Sequence, residues 1–292
     1  MSCPTKRILV LLPVLIAATT AAAQSQRVSL RPALKPGQEN RYIFTASVDT
    51  HVSPTGANGI ASNIHRETTA TVLLRAVADD KGDPVDEAII EAIATRWTID
   101  GIDRPTIVST LVGQKIQYHL DSLGRVENVK LPQAAAETGL AELIFSLTGW
   151  SPASEVSVGQ IWAQGVGNPP GDYGYISADG ISELTKGAAT SYKLSAIDGN
   201  KATIDGAIAL NKSGSSSLTT RDGRINVAVT AGGNGRTRIE FDVSAGRILA
   251  ATTESSFEGR LATIAPKPAG EKLTTREGSL VETAKFSVKL VP

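Results

Sequence analysis

The sequence predicts a mainly β protein, built of antiparallel meanders and interrupted once, near the middle, by an amphipathic helix. Three observations predict it. Apolar and polar residues alternate with period two over most of the chain, which gives strands with one buried and one solvated face. Clusters of Gly, Asn and Asp recur between these runs as hairpin chemistry. One segment alone switches to helical spacing.

The chain opens with Lys6 and Arg7, an apolar run over 8–18, and Ala21-Ala22-Ala23 before Gln24. That is the layout of a secretory signal peptide. Residues 1–23 are therefore expected to be removed, leaving 24–292 as a single β-rich domain, periplasmic or secreted. The apolar run is too short for a hydrocarbon core of about 30 Å, and no later segment is longer, so no membrane span is expected.

Strand rows follow. Tyr42, Phe44, Ala46 and Val48 form the first, and Ala70, Val72, Leu74 and Ala76 the next. Ile116, Tyr118 and Leu120 alternate with Lys115, Gln117 and His119. The pattern returns at Ile225, Val227 and Val229, at Ile239, Phe241 and Val243, and at Ala284, Phe286, Val288 and Leu290. About ten to twelve strands are expected. Asp79-Asp80-Lys81-Gly82, Asp198-Gly199-Asn200, Arg221-Asp222-Gly223 and Gly232-Gly233-Asn234-Gly235 read as turns between them. Segment 53–63 reads as a hairpin tip, 165–180 with Tyr173 and Tyr175 as a long loop, and 266–270 as a turn before the last strand pair.

Over 133–148 the apolar residues Leu140, Leu143, Ile144 and Leu147 fall at helical spacing, with Pro132 before the first turn and Gly149 as a stop. A repeat brackets this helix. Ile116-Gln117-Tyr118-His119-Leu120 with Gly124-Arg125-Val126 parallels Ile239-Glu240-Phe241-Asp242-Val243 with Gly246-Arg247-Ile248. Leu74, Ala76, Val77, Val85 and Ile89 run parallel to Leu194, Ala196, Ile197, Ile204 and Ile208. Two related halves, about 28–131 and 156–292, joined by the helix, are the expected organisation.

Composition removes several function classes. The only cysteine, Cys3, leaves with the leader, so neither a disulfide nor thiol chemistry is expected of the mature chain. Formal net charge is +0, which gives no electrostatic case for nucleic acid or an anionic membrane. Aromatic residues make up 4%, too few for base-stacking platforms.

No catalytic motif survives inspection. Gly149-Trp150-Ser151-Pro152-Ala153 lacks the strand-to-helix setting of a nucleophile elbow. His51, His65 and His119 are the three histidines, and none has metal-site spacing to another; His51 and His65 flank a hairpin tip and can meet across it. A glycosidase needs two converging carboxylates, but Asp79, Asp80, Asp83, Asp86 and Glu87 crowd one turn and strand start, where capping and solvation account for them. Gly165-Val166-Gly167-Asn168-Pro169-Pro170-Gly171 lacks the lysine and the N–H groups of a phosphate cradle. The chain is expected not to be an enzyme, with no cofactor and no metal.

Val156-Ser157-Val158-Gly159-Gln160-Ile161-Trp162, after Pro152, resembles a P-x-V-x-V-G-x-x-W segment of uncharacterised secreted or lipoprotein-type bacterial proteins. The resemblance implies a curved, half-barrel sheet of the LolA and LppX kind and an envelope location. Here the lipid-attachment cysteine of such proteins is missing. The helix face Leu140, Leu143, Ile144 and Leu147, with Trp150, is the candidate ligand-binding surface, placed over the concave side of the sheet. The expected function is binding of a lipid or other apolar ligand between sheet and helix; a protein-protein interaction or structural module of the periplasm, contacting another envelope protein, is the alternative.

Overall fold

Alternation at period two yields the strands it predicts. The computed structural model describes residues 26–54, 61–78, 84–104, 111–121, 126–130, 148–164, 184–220, 223–265 and 274–292. Its strands are β1 (Glu39–Pro54), β2 (Ser62–Ala78), β3 (Pro84–Ile99), β4 (Ile102–Arg104), β5 (Lys115–Leu120), β6 (Val126–Lys130), β7 (Ile161–Gln164), β8 (Leu184–Asp198), β9 (Lys201–Thr220), β10 (Gly223–Asp242), β11 (Arg247–Ala265) and β12 (Thr274–Val291). The helix expected over 133–148 lies, except for Thr148, outside the described residues. So do the turn at 79–82 and the loop at 165–180.

All strands join one antiparallel sheet in the order β6-β5-β3-β2-β1-β12-β11-β10-β9-β8-β7, with β4 on β3. The first and last strands are neighbours at its centre, in register from Arg41 opposite Val291 to Pro54 opposite Gly278. From there each half meanders outward, and β6 and β7 are the two edges, so the sheet is not closed. β2, β3, β5 and β6 form one run of four neighbours, β8, β9, β10 and β11 another.

One face is apolar. Tyr42, Phe44, Ala70, Val72, Leu74, Ala88, Ile90, Ile116, Tyr118, Leu194, Ile204, Ile239, Phe241 and Val288 are buried in a single cluster. β5 and β9 lie seven steps apart in the strand order, a separation of roughly 34 Å in a flat sheet. For their side chains to share one cluster the sheet must curl around it. Three non-strand segments complete this base from inside: Val28 and Val156 exchange backbone hydrogen bonds of 2.9 and 3.0 Å, and Leu30, Leu111 and Trp150 are at most 1% exposed.

The outer face carries most of the charge, several of its ions being paired across strands, with Ile43 and Val281 as exposed apolar residues among them. Arg41 grips Glu91 with two bonds of 2.6 and 2.8 Å. Arg96 does the same to Asp103. Glu87, 3% exposed on this face, is enclosed by Arg75 at 2.8 Å, Gln117 at 3.1 Å and Lys115 at 3.6 Å.

Two turns differ from expectation. Gly232-Gly233-Asn234-Gly235 is no hairpin tip; it lies inside β10, paired with β9 and β11 along its length. The reason is close backbone approach: a Cβ on Gly235 would sit 2.8 Å from the Glu254 carbonyl oxygen, and one on Gly233 would overlap that of Ser256. Conversely, Asp100-Gly101, with φ of 52° and 77°, makes the β3–β4 hairpin turn. Gly199, at φ 58°, turns β8 into β9 as expected.

Candidate functional site

Above the base cluster the inner face continues as a second apolar tier. Val48, Ala231, Phe257, Leu280 and Ala284 are each at most 7% exposed, and none belongs to the base cluster. Register makes them one patch. Val48 faces Ala284 and Val52 faces Leu280 across β1 and β12; Phe257 and Gly259 on β11 face Glu282 and Leu280; Gly233 and Ala231 on β10 close it. Gly259 is required here, because a Cβ would overlap the Thr230 carbonyl and the Ala231 methyl. Phe257 lies beside Gly233 in the same way, an aromatic ring covering a bare stretch of strand.

Polar groups mark this tier. Glu282 is 9% exposed within the patch, between Thr50 and Phe257. Arg66 faces Val48 from β2 and has Trp97 opposite it on β3; the buried Trp97 Nε1–H has no acceptor among the described residues. An apolar surface with a few inward polar groups can orient an amphipathic guest.

At the base, Asp86 faces inward beside Tyr118. Burial raises its carboxyl from the ordinary 3.8 to about 6, against a smaller opposing effect of His119. Its neighbour Glu87 points to the opposite face, as period two requires; burial pushes that carboxyl up, but Arg75, Gln117 and Lys115 outweigh it and hold it below its usual value. The inward carboxylates Asp86 and Glu282 are separated by about twelve residues of strand rise, on the order of 40 Å. That distance is incompatible with the paired-carboxylate geometry of glycoside hydrolysis.

The other residues singled out in the sequence are placed as follows. Leu140, Leu143, Ile144 and Leu147 lie outside the described residues. Trp150, 1% exposed, sits in the base cluster edge-to-face with Phe241, their ring centroids 5.1 Å apart. Its carbonyl accepts the Trp162 Nε1–H at 2.8 Å. His51 and His65 share the outer face, as diagonal neighbours in separate pairs: His51 contacts Asn63 and Ser53, each at 2.7 Å, while His65 contacts Asp49 at 2.6 Å. Among the described residues no three His, Cys, Asp or Glu side chains are grouped to hold a metal. Asp79, Asp80 and Asp83 lie outside the described residues.

Sequence alternation hides the Phe257 contribution because Thr253, Ser255 and Gly259 dilute the inward row of β11, and that of Leu280 because Glu282 interrupts the inward row of β12. The available signal was the outward row, Glu254, Glu258 and Arg260, whose charges fix the opposite parity.

No protein-family profile matches the chain, and no curated protein matches it. Among solved structures, one described as lipid-protein interactions in lipovitellin aligns with 89% of this chain and 26% of its own, at 11% identity and a TM-score of 0.49. The chain thus spans about a quarter of that protein. Salmonella typhi OmpF in complex with daunomycin aligns with 85% of this chain and 98% of its own, at 10% identity and a TM-score of 0.24. Pseudomonas aeruginosa OccK5 aligns with 89% and 99%, at 7% identity and a TM-score of 0.23. No described helix is long and apolar enough to cross a membrane.

Proposed function

We propose that the protein is an exported, non-enzymatic envelope protein that binds an apolar ligand or acyl chain against the inner face of its sheet. One observation carries the reading. The inner face stays apolar above the base cluster, through Val48, Ala231, Phe257, Leu280 and Ala284, while the outer face is polar and charged. Burying an acyl chain against such a surface contributes about 0.8 kcal/mol per methylene, so even a short chain supplies useful affinity. Export rests on the leader at 1–23.

The test is native mass spectrometry of the mature protein from its own periplasm, before and after organic extraction. A mass excess removed by extraction is the expected result. A bare monomer mass, together with no uptake of added fatty acid, overturns the reading.

A second reading is favoured by the β7 edge. Ile161 is 66% exposed and Val158 just before it 51%. An apolar strip on an edge strand suits a protein partner that adds a strand there. Cross-linking through a residue placed at 161, with no adduct formed in the envelope, would count against it.

A further inference from the structure

The strongest feature outside the inner face is a groove of about 530 Å³ on the opposite, outer side of the sheet, spanning β7 to β11. Its floor includes the small residues Ser191 and Ala207, which face each other across β8 and β9. Two strand rows supply the walls. Lys193, Asp205 and Arg238 face one another across β8, β9 and β10, and Ala207, Arg236 and Glu254 form the next row across β9, β10 and β11.

The charge in this groove is unbalanced, although the chain as a whole has a net charge of +0. Glu254 is taken up by Lys285 at 2.7 Å. Asp205 accepts from Ser195 and is 3.8 Å from Arg238, a long and solvated contact. Arg236 and Lys193 have no ion pair among the described residues, and both are exposed. This contrasts with Arg41, Arg75 and Arg96 on the other half of the same face, each held by a carboxylate. Excess cation over a recess too shallow in side chains to fill itself is the arrangement that recognises an oxyanion. Guanidinium forks match phosphate oxygens two at a time, and lysine adds a point charge.

We propose that this groove binds a phosphate group, with Arg236 and Lys193 as its principal contacts and Arg238 as a third cation released from Asp205 on binding. The site is separate from the apolar inner face and does not depend on cargo being carried there. The phosphate belongs either to a small soluble phosphate or to an anionic lipid headgroup, and the two sources share the same chemistry.

The test titrates inorganic phosphate against the mature protein by 31P line broadening, and in parallel measures cosedimentation with phosphatidylcholine vesicles containing phosphatidylglycerol. Saturable binding in either arm, weakened about tenfold by Arg236→Gln and by Lys193→Ala and progressively by salt, is expected. Binding in the first arm alone identifies a soluble phosphate, and binding in the second a headgroup. Both substitutions are at exposed positions, and an unchanged urea midpoint confirms folding. Failure of both arms, or binding indifferent to both substitutions, overturns the proposal.

Discussion

Asp86 offers the most discriminating physical test of the fold. It is an acidic residue on the inner face, opposite Ala76 on β2 and Tyr118 on β5, with Ala88 and Ile90 on the same row fully buried. Burial raises its carboxyl from 3.8 to about 6. The sign follows from linkage. Below the unfolded value both states are protonated and the site costs nothing. Between that value and about pH 6 the unfolded chain ionises first, so stability falls as pH rises; above it the full penalty persists. The difference between the two values corresponds to about 3 kcal/mol.

Asp86→Asn keeps the shape and removes the ionisation. The variant should match the wild type near pH 4 and exceed it by about 3 kcal/mol at pH 8, with the change centred between the two carboxyl values. Urea unfolding followed by tryptophan fluorescence at several pH values reads this directly. Other carboxylates, including Glu87, Glu91, Asp242 and Glu254, are held below their usual values and stabilise more as pH rises. They are common to both proteins and cancel in the comparison. A stability difference that is flat with pH would refute the assignment of Asp86 to a desolvated inner position.

Further expectations follow from packing and charge. Trp150→Ala should cost about 3–5 kcal/mol in urea unfolding, because the indole is 1% exposed against Phe241; a cost under 1 kcal/mol contradicts its place in the base cluster. Gly259→Val should destabilise by at least about 1–3 kcal/mol, since even a Cβ overlaps Thr230 and Ala231, whereas the same change at the open position Gly232, where the nearest atom is 3.9 Å away, should cost less in the same assay. His65 is raised by Asp49, against partial burial, and by Glu67; its support of the β1–β2 ladder is present below about pH 6.5 and lost as pH rises through its folded value. NMR titration of the ring should show that elevation, and Asp49→Asn should lower it.

Legibility in the sequence followed the strength of alternation. Tyr42, Phe44 and Val48, or Ile116 and Tyr118, announce a buried row because polar residues alternate with them at every step but Ile43, and all five are buried. The Gly232–Gly235 stretch misled for a physical reason. Glycine clusters mark turns when φ must be positive, but here they mark close approach of β11, a tertiary cause invisible to a local pattern. The Asp100-Gly101 turn was legible and overlooked, because the short β4 gives no alternating run to bracket it. Glu87 reads as a solvated acid beside a turn; only the strand register, which brings Arg75 and Gln117 alongside from two different strands, makes it a buried one.

The candidate site was legible only in part for the same reason. A sheet in which the last strand pairs with the first assembles its inner surface from residues far apart in sequence, such as Val48 with Ala284. Their shared parity within each strand is local information, but their adjacency is not. The orientation of the two faces bears on the proposed function. A strand assembly that crosses a bilayer turns its apolar row outward and its polar row to the lumen. In this sheet the outward rows hold Arg41 with Glu91, Arg96 with Asp103 and Lys285 with Glu254, and the apolar row turns inward. That polarity places apolar surface where a guest can be enclosed and charge where water and a phosphate can reach it. The two proposed sites therefore follow from one property of the sheet, its parity, and substitutions on one face should leave binding at the other unchanged.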